Sequence, residues 1–206
     1  MVRKTTSVPE RSSIIDATLA LAAERGWHAV SLADIAVRAG IGLADLHEQF
    51  DGKTAILKAF LDCLDDALWK GPLAAGDEPA RDRLFDVIMR RFDSMQPYKE
   101  GIRAIVKGSA SDPWMLFCSA PHLLRTASLM LEVAGISASG PVGRVKAKGV
   151  AVIYLAAFRT WLTDESSDMA RTMATLDRAL RRAESIASFI GRGPGAPFRG
   201  GETGAQ

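Results

Sequence analysis

Apolar side chains recur every third or fourth residue along nearly the whole chain, in stretches of about 10 to 25 residues separated by short Gly, Pro or Ser punctuation. Only the helical period recurs, so the expected fold class is all-α with about nine helices. The first, about Glu10 to Arg25, aligns Ile14, Ala17 and Leu21 and stops at Gly26. Ser31-Leu32-Ala33-Asp34 reads as a capping box that opens a helix ending at Ala39-Gly40, and a third short helix spans Leu43 to Phe50. Longer helices are expected over Lys53 to Lys70, Ala80 to Met95, Tyr98 to Lys107, Pro113 to Ala134, Val142 to Leu162, and from about Asp168 to Ile190. From Gly191 onward half of the residues are Gly or Pro, and the tail 191–206 is expected to be disordered.

The last helix carries Met169, Met173, Leu176, Leu180, Ala183, Ala187 and Ile190 at spacings of 4 and 3, an a/d seam that needs a partner helix. That partner is either the preceding helix of the same chain or a second subunit. The two readings are compatible, because two C-terminal helices from each subunit can pair as a four-helix bundle.

With 206 residues, 48% hydrophobic and 24% charged, the chain can bury a core, which excludes disorder throughout. The longest apolar run, Val150 to Phe158, is about half of the ~20 residues a membrane-crossing helix needs. A basic start with no apolar segment behind it speaks against export, so a cytoplasmic address is expected. Cys63 and Cys118 fall in apolar helical patterns and are expected to be buried, reduced thiols. There is no H-E-x-x-H, no G-x-S-x-G and no phosphate-binding glycine loop, so no enzyme and no cofactor are expected. The spacing of His28, His47 and His122 suggests no shared metal, and consecutive Asp45, His47 and Glu48 point around a helix cylinder rather than at one ion.

The segment Ser31 to Phe50 is more specific. A small Ala36 four residues before Gly40, a tight turn, then Leu46 and Phe50 give the spacing of a helix-turn-helix. Together with Ile14, Ala17, Leu21, Glu24, Gly26 and Trp27 before it, and His47 and Lys53 after it, this run closely resembles the DNA-binding domain of the TetR/AcrR family of bacterial regulators, over about residues 10 to 60. The resemblance implies a TetR-like fold. It divides the chain into a DNA-binding head over 1–52, a ligand-binding and dimerisation domain over 53–190, and the tail. It also implies a homodimer formed through the last two helices, double-stranded operator DNA as partner, and control by a small hydrophobic effector that changes the spacing of the two recognition helices.

On this resemblance Arg3, Lys4, Ser31, Arg38, Gly42, Leu43, Ala44, Asp45, His47 and Lys53 are expected to face DNA. Trp161, Met169, Met173, Leu176, Leu180 and Ala183 are expected at the dimer interface. For the effector, Phe85, Phe92, Met95, Tyr98, Trp114, Phe117, His122, Tyr154 and Phe158 supply large apolar surfaces with a few polar tips.

Charge supports this head weakly. The net charge of +2 is too small to argue for nucleic acid by itself. Residues 1–53 hold six basic side chains against seven acidic, a net of −1, and Leu43 to Phe50 has no Lys or Arg with which to grip a guanine edge. A second resemblance, carried by Arg90 to Tyr98 and by Leu155 to Leu180, is to a TetR-fold ubiquinone-biosynthesis accessory family. It implies an alternative, a lipid- or isoprenoid-binding protein without DNA binding.

Overall fold

In a computed structural model the described residues are 11–72, 77–109 and 113–191, with the side chains of 113–119 and 187–191 outside the description. They form nine α-helices and two 3-10 turns: α1 Arg11–Arg25, α2 Leu32–Ala39, α3 Leu43–Gln49, α4 Lys53–Lys70, α5 Ala80–Met95, α6 Lys99–Ser109, α7 Pro113–Val133, α8 Gly140–Thr163 and α9 Ala170–Gly191. The expected boundaries hold to within two or three residues. The tail lies outside the described residues from 192 onward.

Local chemistry sets the helix ends. Ser31 Oγ accepts from Asp34 N–H at 3.1 Å while an Asp34 carboxylate oxygen accepts from Ser31 N–H at 2.9 Å, so the capping box is complete. Those Ser31 hydrogen bonds, with Arg25 nearby, hold the Asp34 carboxyl below its ordinary range. At the other end Gly40 takes φ 71°, a left-handed conformation that glycine reaches without a Cβ clash, and Ile41 N–H bonds back to the Ala36 carbonyl. The α8–α9 corner is closed by Asp164, whose buried carboxylate accepts from the backbone and hydroxyl of both Ser166 and Thr172. Burial opposes its ionised form, yet these donors overcome burial and hold its pKa well below the usual carboxylate range. Ser166 Oγ then caps α9 by accepting from Ala170 N–H at 3.0 Å.

Helix α1 packs on α2, α4 and α6, which seats the small N-terminal unit on the larger one. The approach of α1 to α6 depends on Gly101: a Cβ there would lie 2.5 Å from the Leu19 carbonyl oxygen. In the larger unit α8 packs between α7 and α9, and α5 contacts α4, α7 and α9. Phe92, Tyr154, Phe158 and Trp161 form a continuous aromatic ladder with centroids 5.4 to 6.0 Å apart.

One sequence expectation changes. Cys63 is exposed on the outer side of α4, because Phe60, Leu64 and Leu68 define the buried side of that helix; the Cys118 side chain is outside the description. The a/d seam of α9 packs in part within the chain, the first of its two readings: Trp161, Met169, Leu176 and Leu180 are buried in the core formed with α8 and α5, Met173 and Ala183 are half-buried, and the side chains of Ala187 and Ile190 lie outside the description.

Candidate nucleic-acid interface and effector domain

The buried side of α3 is Leu46, which together with Phe50 just past its end locks the helix against Ile35 and Ala36 of α2 in the head core. Its outward side consists of Leu43, Ala44, His47 and Glu48, two rows spaced by four residues, with Asp45 exposed at the flank. Gly42 precedes α3, and the Asp45 carboxylate folds back over it, 2.9 Å from where a Gly42 Cβ would stand. A carboxylate near a helix start is favourable for the helix and unfavourable for an approaching phosphate.

The Lys and Arg side chains of the head are all engaged among the described residues. Arg38 is ion-paired to Glu24, and Arg25 to Asp34 at 3.1 Å. Arg11 donates to the Gln49 carbonyl at 3.3 Å and lies over the Phe50 ring. Lys53 turns inward: its ammonium donates to the carbonyls of Trp27 at 2.9 Å and Val30 at 2.7 Å, sits 4.4 Å from the Trp27 ring, and has its pKa lowered by burial. Exposed ion pairs are worth about 0–1 kcal/mol, so Arg38 can exchange Glu24 for a phosphate at little cost. Lys53 holds three partners at once and is not available on those terms. Arg3 and Lys4 lie outside the described residues.

In the larger domain the aromatic candidates for an effector site occupy the core. Phe92, Met95 and Tyr154 are buried, and Phe85, Tyr98, His122 and Phe158 are half-buried. The side chains of Trp114 and Phe117 are outside the description. Burial raises the pKa of both Tyr98 and Tyr154. None of the described ones lines the larger of the two described cavities, a cleft of about 440 Å³ between α4 and α7. It is bounded by Asp62, Asp65, Asp66 and Trp69 on one side and by Arg125, Leu129 and Glu132 on the other.

Beside that cleft lies a polar cluster that sequence reading missed. Asp65 and Arg91 form a buried ion pair at 2.6 Å; Thr126 donates to the same carboxylate at 3.0 Å, and Arg125 bridges it to Asp62. Arg91 also reaches the Tyr154 hydroxyl at 3.4 Å. A signal was present: Asp65 sits among Leu61, Leu64 and Leu68, and Arg91 among Val87, Ile88 and Met95, each a charge inside an apolar stripe. Asp62, Asp65 and His122 bring their ligand atoms within 4.8 Å of one another. The group nevertheless does not suit a metal, because Arg91 and Arg125 already neutralise both carboxylates and would repel a cation. Burial lowers the His122 pKa, which leaves the ring neutral at pH 7.

Residues 14–60 match the family model of bacterial regulatory proteins, tetR family. Over that stretch the head is similar to the tetR-family domain. The TetR likeness extends to the whole fold. A TetR transcriptional regulator from Nitrosomonas europaea ATCC 19718 superposes with a TM-score of 0.72 at 26% identity, over 85% of this chain and 98% of that one. A TetR transcriptional regulator from Rhodococcus sp. RHA1 gives 0.63 at 19% identity, over 90% and 100%. A tetR-family regulator from Streptomyces coelicolor gives 0.58 at 21%, over 88% and 86%. No curated protein matches the sequence. The second resemblance, to the ubiquinone-biosynthesis accessory family, finds no support in these matches.

Proposed function

We propose that the protein is a homodimeric transcriptional regulator whose two heads, residues 1–52, bind half-sites one DNA turn apart, and whose larger domain, 53–190, takes a small, largely apolar effector. The observation that carries this reading is the TetR-like head with the outer side of α3 exposed among the described residues. Helix α4 supports an allosteric route: it starts at Lys53 against the head and brings Trp69, in its last turn, to the cleft, so a ligand wedged between α4 and α7 would shift both ends of one rigid element. For the dimer, α8 presents Val142, Val145, Val152 and Leu155 outward, an exposed apolar stripe along the helix. A mobility-shift assay on DNA flanking its own gene, at low salt with competitor, is expected to show a specific complex. Absence of one defeats the reading.

The engagement of Arg11, Arg25, Arg38 and Lys53 favours a second reading, a lipid- or isoprenoid-binding accessory protein that has given up DNA. Native mass spectrometry of the gently purified dimer separates the two. A retained isoprenoid or quinone without operator binding supports the second; an empty protein with tight operator binding supports the first.

A further inference from the structure

We infer that α3 reads A·T base pairs, through the 5-methyl groups of thymine rather than through guanine contacts. This rests on the head docking on DNA as proposed above. Leu43 and Ala44 are the first two residues of α3 and both are exposed, Leu43 to 50%; Val37, in the last turn of α2 across the tight turn, is 81% exposed. The N-terminal residues of a recognition helix are those that meet base edges. What the outward side can recognise follows from its chemistry. It has no Lys or Arg, and Gln49 is half-buried with its amide nitrogen donating to the Asp45 carbonyl at 3.4 Å, so no side chain there can grip O6 and N7 of guanine together, and His47 offers one N–H at most to a single acceptor.

The thymine methyl is the one apolar feature of a major-groove base edge, and it matches Leu43 and Ala44. Asp45 and Glu48 flank them with acceptors, which the exocyclic amino group of either adenine or cytosine can satisfy, so they leave the choice of base pair to the methyl. An A·T pair offers the methyl and the amino group together. A G·C pair offers an amino group and the same number of acceptors, but no methyl, so the methyl carries the discrimination.

The test uses the full-length dimer. Sites are selected from a randomised duplex library in low-salt buffer, then each thymine of the selected half-site is replaced by uracil, which deletes only the methyl. Wild type is expected to lose about fourfold in affinity for each methyl contacted, the worth of one buried methylene-sized group. Leu43→Ala, at an exposed position, is expected to melt like wild type and to bind the thymine and uracil sites almost equally. Equal binding of the two by wild type, or selection of guanine-centred half-sites, overturns the inference and leaves DNA binding standing. Failure to hold any duplex overturns both.

Discussion

Asp65 and Arg91 illustrate how two residues can be worth more as partners than as singles. Each is nearly inaccessible, so removing one strands the other as a buried charge. Asp65→Ala is expected to lower stability by about 3–5 kcal/mol in urea unfolding, whereas an apolar replacement of both partners is expected to recover most of that loss. Asp164 gives a pH-dependent counterpart. Its unfolded carboxyl titrates near 3.8 and its folded one lower, so its contribution is complete above about pH 5 and disappears as pH falls through the acid range. Asp164→Asn should therefore cost about 2 kcal/mol at neutral pH, with the difference from wild type shrinking when unfolding is measured near pH 3.

At the scale of elements, the contact between α1 and α6 joins the head to the rest of the fold, and it is limited by backbone rather than by side chains. Gly101→Val places a branched side chain against the Leu19 carbonyl, and α6 must retreat. The expected cost is about 1–3 kcal/mol in thermal unfolding. The capping box and the left-handed Gly40 were legible because they are local: four residues and one turn settle them. The direction of Lys53 was not, since its partners, Trp27 and Val30, lie more than twenty residues earlier in the chain.

For the whole molecule, the α8 stripe predicts that Val145→Glu with Val152→Glu converts the dimer to monomer in sedimentation velocity, without unfolding, because both side chains are exposed in the single chain. The few cations of the head set its salt dependence. If Arg3, Lys4 and Arg38 of each subunit reach phosphate, six contacts give a slope of log K against log salt near −5, and Arg38→Ala should reduce its magnitude by about 2.

Period and punctuation in the sequence determined the helices, their order, the helix-turn-helix and the depletion of positive charge on its outward side. These depend on neighbours within a few residues, or on counting. Which candidate residues remain free to act was decided by tertiary packing. An amphipathic pattern says that a stripe is buried but not by whom, and so α9's seam closed in part on α8 and α5, the aromatic residues stacked into a core ladder, and the cleft formed where α4 and α7 diverge beside a carboxylate already matched to arginine. Burial and ion pairing belong to the sum of all elements meeting at a point, and no single stretch of chain contains that sum.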